Sequence, residues 1–275
     1  MAAPQHQKGF TLVELIMVIV IMGVIGATVA VFMKSPIDAY FDTARRAGIA
    51  DVADTTVRRM ARDIRKALPN SIRLAGTACI EFIPTRTGGR YRAQDIGAGD
   101  ETSLKFDAPD LSFNMLGLNS ALPADQQINP NDVVAVYNLG IPGSDAYAGN
   151  NTAAVTGVNV SAFAANETEV KMAGNTTKFP LESGSNRFHV IPGDEKIVSY
   201  VCSGNKLYRN ANYAYSPSCP APTVGTTPII ANEASCNFAY STADIRNGLV
   251  QLQLTFANSG ETVSIYHEVH VNNTP

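Results

Sequence analysis

Glu14 is the residue whose position most needs a chemical explanation. It sits at the mouth of Leu15 to Met33, 19 residues without a charge and with Thr28 as the one polar side chain. A carboxylate there is costly unless it finds a partner. Between Gly9 and Lys34 the sequence holds no basic residue. A cut after Gly9 would create the partner, because Phe10 would then carry a new α-amino group. Phe10 and Glu14 are spaced i, i+4, which puts both on one helix face. The chemistry is an ion pair in an apolar layer, within one chain or between neighbours. Such a pair is poor evidence of net stability. It can fix register instead, since misalignment leaves buried charge uncompensated.

The cysteines are the second candidate set. Cys79, Cys202, Cys219 and Cys236 form an even number in the part of the chain beyond the apolar run, which fits disulfides in an oxidising compartment. The last three are 17 positions apart, which is not a zinc-site spacing. Sequence leaves the pairing open. Joining Cys79 to Cys202 would link antiparallel neighbours, and joining Cys219 to Cys236 would clip a Pro-rich loop, so these pairs are expected. Four reduced, buried thiols are the competing reading.

Other chemistry is thin. His267-Glu268-Val269-His270 lacks the i, i+4 helical histidines of a zinc protease, and on a strand its two histidines face opposite ways. Gly97-Ala98-Gly99 and Gly140 to Gly143 lack the strand-then-helix setting of a phosphate loop. No Ser or Cys has a His beside it to serve as a base. Asp145, Asn150 and Asn151 are conceivable calcium ligands, with surface turn residues as the default. The expectation is no catalytic residue, no metal and no cofactor, and a chain that is not an enzyme.

The elements follow. At ~1.5 Å per residue, Leu15 to Met33 forms a helix of about 28 Å, close to the ~30 Å of a hydrocarbon core. A signal peptide cleaved near Thr28-Val29-Ala30 and a plain membrane anchor are the simpler readings. Lys34-Ser35-Pro36 should interrupt the helix. Beyond it Phe41, Ala44, Ile49, Val52, Ala53, Thr56, Met60, Ile64, Ala67 and Leu68 recur near a 3.6 period, until Pro69-Asn70 stops the helix. That stripe should dock on the following domain. Arg45 to Lys66 carries seven basic residues against three acidic, read as a solvated face, with subunit contact as the alternative.

Residues 71–275 read as β-rich. Cys79 to Ile83 and Asp132 to Tyr137 are strands, and Ile197 to Arg209 is a hairpin around Ser203-Gly204-Asn205. Val250, Leu252, Leu254 and Phe256 alternate with polar residues, as do Val263, Ile265, Val269 and Val271 beyond a turn at Asn258-Ser259-Gly260. That predicts a half-buried antiparallel hairpin. Gly140 to Ser185 reads as mostly loop, with a short strand at Glu169 to Met172, and Ser216 to Thr227 as a Pro-rich loop.

With 45% hydrophobic and 16% charged residues the chain is not disordered, and a mean hydropathy of −0.01 excludes a multi-span membrane protein. A net charge of −3 argues against a dedicated nucleic-acid binder, and the basic helix face lacks interleaved aromatics.

Lys8-Gly9-Phe10-Thr11-Leu12-Val13-Glu14-Leu15, followed by Ile16 to Gly23, resembles the type IV prepilin signature. The resemblance implies cleavage between Gly9 and Phe10 by a prepilin peptidase, N-methylation of Phe10 and an assembly role for Glu14. It implies an α+β pilin-like fold, with a long N-terminal helix packed on an antiparallel sheet domain. The divisions are a leader at 1–9, a membrane and filament-core helix at 10–35, an amphipathic half at 36–68 and a β-rich periplasmic domain at 69–275.

Softer motifs at Arg59 to Arg65, Ala67 to Arg73, Cys79 to Pro84 and His267 to Asn273 resemble minor pilins of the mannose-sensitive haemagglutinin (MSHA) type IV pilus. These are similar in turn to J-type minor pseudopilins of type II secretion. The resemblance is weak or absent across Gly140 to Ser185. The implied partners are the peptidase, other minor and major pilins through the N-terminal helix, and the inner-membrane assembly platform, with no nucleic acid. The implied location is the bacterial inner membrane, single-pass with a periplasmic domain, and then the pilus at the cell surface. A type II secretion pseudopilin, or a membrane-anchored periplasmic binding protein or adhesin, is the alternative.

Overall fold

The computed structural model describes residues 9–97, 99–173, 179–215, 219–242 and 246–275. The leader up to Lys8, Ala98, Asn175, Ser216 and Pro217 lie outside the described residues. The architecture is α+β: one long N-terminal helix, α1 (Leu12–Arg65), and antiparallel sheets. The strands are β1 (Arg73–Leu74), β2 (Cys79–Phe82), β3 (Thr87–Arg90), β4 (Ser112–Leu116), β5 (Val133–Val136), β6 (Thr152–Val160) and β7 (Glu167–Met172). They continue with β8 (Arg187–Ile191), β9 (Val198–Ser203), β10 (Lys206–Ala211), β11 (Ile229–Asn232), β12 (Ala234–Thr242), β13 (Asn247–Asn258) and β14 (Glu261–Asn272).

The expected break at Lys34-Ser35-Pro36 is absent: α1 runs through Pro36. A proline removes one helical hydrogen bond and strains one turn, but the ladder on either side can continue. The helix also stops earlier than expected, at Arg65. Lys66 N–H donates to Asp63 C=O (3.1 Å) and Ala67 N–H to Ile64 C=O (3.0 Å), tightening the last turn. Ala67 then bridges to Pro84. Pro69 and Asn70 form a turn closed by Ser71 N–H on Leu68 C=O (3.0 Å), with Asn70 at φ 59°. Pro followed by a positive φ marks a type II turn.

Chain contacts divide the molecule at Ala50/Asp51. In the second unit, the face of α1 that carries Ala53, Thr56, Val57, Met60, Ala61 and Ile64 is buried against the sheet domain. Val52, expected in that stripe, is exposed. The basic residues Arg58, Arg59, Arg62, Arg65 and Lys66 lie on the solvent side.

The five-stranded sheet has the order β1-β2-β9-β10-β11, the three-stranded sheet β12-β13-β14 and the six-stranded sheet β3-β8-β5-β6-β7-β4. Both anticipated hairpins are present. Gly204 and Asn205 join β9 to β10 with φ of 55° and 58°, and Ser259 and Gly260 join β13 to β14 with φ of 51° and 85°. Two successive positive φ values mark type I′ turns, whose twist matches that of the strands. Val250, Leu252, Leu254 and Phe256 are buried, as alternation required. His267 is half-buried and His270 exposed, on opposite faces.

Residues 140–185 are richer in strands than their composition suggested. They hold the nine-residue β6 and all of β7. The inward residue Ala153 is small, and a register shift at Val155/Gly157 spoils the alternation. The six-stranded sheet packs its own core, in which Phe113 and Phe188 meet edge-on at 5.1 Å.

Candidate functional site

The N-terminal segment starts with Gly9 and Phe10 outside the helix, Phe10 being 89% exposed. Thr11 is the residue before the first helical position. Its hydroxyl accepts the Glu14 N–H (3.3 Å). Glu14 reaches back: one carboxylate oxygen accepts both the Thr11 N–H (2.8 Å) and the Thr11 hydroxyl (2.9 Å). This is a capping box, in which two otherwise orphaned donors at the start of the helix are satisfied reciprocally. Sequence reasoning treated Glu14 as a lone acid. The Thr-x-x-Glu spacing was the signal for this local partner. Phe10 and Glu14 are not on one helix face, because the helix begins after Phe10.

From Leu12 to Met33 the large apolar side chains are all more than half exposed. The helix Leu12–Arg65 is long and apolar enough to cross a membrane. The polar side chain within the run, Thr28, is satisfied internally, its hydroxyl bonding Val24 C=O (3.0 Å) and Ile25 C=O (2.8 Å). A span with no unsatisfied polar group is what a bilayer requires.

All four cysteines are in disulfides, but not in the expected pairs. Cys79 joins Cys219 and Cys202 joins Cys236, with Cα–Cα distances of 6.4 and 5.8 Å. The register explains why. Cys79 stands opposite Val201 across β2 and β9, so Cys202, one position on, points from the other face of the sheet. Cys79 therefore reaches the Pro-rich segment, while Cys202 reaches β12 and ties the five-stranded sheet to the three-stranded one.

Two polar constellations escaped the sequence reading. On the face of the five-stranded sheet with Tyr200, the Tyr200 hydroxyl donates to Asp63 of α1 (2.7 Å). Arg209 donates to the same Asp63 oxygen (3.0 Å) and to Glu195 (2.6 Å). Burial and the neighbouring Asp63 push the Tyr200 phenol well above its ordinary range.

On the opposite face Arg73, Glu81 and Ser199 stand side by side across β1, β2 and β9. Glu81 is 5% exposed and accepts the Tyr213 hydroxyl (2.7 Å). Burial raises the Glu81 carboxyl above its ordinary range, against the opposing pull of Tyr213 and Arg73. Arg73 pairs with Asp145 (2.8 Å) and lies over the rings of Tyr147 and Tyr215. Asp145 is thus committed to an arginine. Asn151 is buried, bonding Val136 C=O (3.0 Å), and is not the surface turn residue expected. Among the described residues no group of three or more His, Cys, Asp or Glu is placed to hold a metal.

The family model for the prokaryotic N-terminal methylation motif matches residues 4–30. The match covers Gly9, Phe10, the capping box and most of the apolar run. No curated protein and no solved structure matches the chain. The motif supports a type IV pilin- or pseudopilin-type protein, a class that is generally structural and is processed by prepilin peptidase. The motif and the apolar helix together fit a single-pass inner-membrane anchor.

Proposed function

We propose that the chain is a minor pilin of an MSHA-type type IV pilus, of the kind usually called MshO. The single observation that carries the pilin-type reading is the methylation motif at residues 4–30 running into the uncharged, membrane-length stretch Leu15 to Met33, and the MSHA assignment rests on the softer motifs at Arg59 to Arg65, Ala67 to Arg73, Cys79 to Pro84 and His267 to Asn273. Prepilin peptidase cuts between Gly9 and Phe10 and methylates Phe10. Residues 10–35 anchor the subunit and then enter the filament core. Residues 36–68 connect them to the periplasmic domain at 69–275. The protein is non-enzymatic and acts in initiation, tip assembly or decoration of the filament. Two disulfides suit an oxidising periplasm.

N-terminal sequencing and intact mass of the mature protein test this. The chain should begin at Phe10 with the mass excess of one methyl group. A start at Met1 or near Ala30 would overturn the reading. The same processing serves type II secretion pseudopilins, so a deletion strain is scored for both surface filaments and secreted enzymes. Loss of filaments alone supports the pilus.

A further inference from the structure

A cavity of about 260 Å³ opens where the five- and six-stranded sheets meet. It is lined by aliphatic Ile83, Val133 and Ile191 and by Tyr147, Tyr213 and Tyr215. The Tyr147 hydroxyl donates to Ser71 C=O (2.8 Å) and the Tyr213 hydroxyl to Glu81 (2.7 Å). With those hydroxyls committed, what the two tyrosines offer the cavity is ring carbon. Their positions are fixed from behind. The Arg73 guanidinium sits 3.5 Å from the Tyr147 ring centroid and 4.3 Å from that of Tyr215, and the two rings are 4.9 Å apart. Arg73 is itself held by Asp145. The walls are therefore preorganised, which lowers the entropy cost of binding.

One lining residue carries a full charge free of the sheet. Lys196 is exposed and makes no ion pair among the described residues. Asp145 is matched by Arg73, and Glu81 is bonded by Tyr213. Lys196 is the one charged side chain among the described residues that line the cavity, and the walls beside it are mainly apolar and aromatic. Pockets of this kind bind by apolar enclosure, with a few polar groups setting orientation. Its volume of about 260 Å³ lies just below the ~300 Å³ at which typical ligand pockets begin, which suits a small ligand.

We propose that this cavity binds an aromatic or branched apolar group bearing a carboxylate, its ring or chain between the tyrosines and its charge at Lys196. The ligand is a small carboxylic acid or the carboxyl-terminal residue of a partner polypeptide. The inference stands apart from the reading of the N-terminal segment.

The test uses the full chain in lipid nanodiscs with ring-labelled tyrosines. The probes are 3-phenylpropionate, its neutral amide, and an acetylated peptide ending in phenylalanine with a free carboxylate. The acid should shift tyrosine resonances saturably with a Kd of about 1 mM, the scale of a ligand with ~11 heavy atoms. The amide should bind about three-fold more weakly or worse. Lys196→Glu should weaken the acid about ten-fold and leave the amide unchanged, since it alters only the charge term. Ala214→Trp, at an exposed position lining the cavity, should block both. Tighter binding of the peptide than of the acid identifies a polypeptide source, and equal binding a small molecule. Absence of saturation overturns the proposal. So does equal affinity for acid and amide, or indifference to Lys196→Glu.

Discussion

Thr11 donates its backbone N–H and its hydroxyl to one oxygen of Glu14, at 2.8 and 2.9 Å. Glu14 is therefore not a stranded charge in the uncut chain. In the proposed assembly step, the methylated amine of a neighbouring Phe10 takes over a carboxylate that Thr11 has been holding. The Thr11 bonds to the carboxylate are already charge-assisted, but the amine adds a full opposite charge, whose attraction is strengthened in an apolar layer.

Two variants separate the roles. Thr11→Ala loses a cap worth about 1 kcal/mol but keeps the carboxylate. Cleavage should be normal and incorporation within about three-fold of wild type. Glu14→Ala leaves a neighbour's amine unmatched, and breaking a buried pair costs about 3–5 kcal/mol. Membrane insertion and cleavage should persist while incorporation falls more than about ten-fold. The measurements are the precursor-to-mature ratio by immunoblot and the subunit content of sheared filaments. Normal incorporation of Glu14→Ala would end the ion-pair account.

Peptide mapping without reduction should recover Cys79 linked to Cys219 and Cys202 linked to Cys236. The second bridge closes a separation of 34 residues and joins two sheets, so Cys202→Ser with Cys236→Ser should lower unfolding stability by about 2–4 kcal/mol. The double replacement of Cys79 and Cys219 by serine should chiefly expose residues 219–228 to protease, because that bridge ties the Pro-rich segment to β2. A map containing Cys79 with Cys202 would contradict the register of β2 and β9.

That register marks where sequence reading stopped. The hairpin of Val250 to Val271 was legible because its buried residues are large, alternate strictly and flank a turn at Ser259-Gly260. The strand at Thr152–Val160 was not, since its buried Ala153 is small, Val158 and Val160 are not buried with Val155, and a bulge breaks the period. Disulfide partners depend on which face each cysteine takes, and a one-residue offset between Cys79 and Cys202 reverses it. The N-terminal site was the reverse case. The methylation motif was readable because it is a pattern of adjacent residues, and Thr11 was missed although its spacing to Glu14 announces a cap. Arg73 between Tyr147 and Tyr215 joins residues far apart in the chain, which no local pattern reveals.

Tyr200→Phe should cost about 1–2 kcal/mol, because it removes the hydroxyl that shares Asp63 with Arg209 on the sheet side of α1. Arg209→Met should cost more, since Asp63 and Glu195 then lose their common cation. Denaturant unfolding of the full chain in nanodiscs measures both. Equal, negligible effects would mean that apolar burial of Met60 and Ile64 alone holds the helix to the sheet.

Glu81 supplies a prediction in pH. Its carboxyl is raised above the ordinary 4.5, first by burial, with Tyr213 and Arg73 pulling the other way. The folded state therefore holds this proton more tightly than the unfolded state. The stability it contributes is full below the unfolded value and is lost as pH rises through the folded one. Glu81→Gln keeps an acceptor for the Tyr213 hydroxyl and removes the ionisation. The Tm of the variant relative to wild type should be lowest at acid pH, below the ordinary carboxylate value, and should climb as pH rises through the raised folded value. Carboxyls held low by their neighbours, such as Glu167 beside Arg92 and Asp95 beside Ser103, titrate in both proteins and cancel in the difference. A difference in Tm that stays flat from pH 4 to pH 8 would mean that Glu81 ionises in the fold as freely as in the unfolded chain.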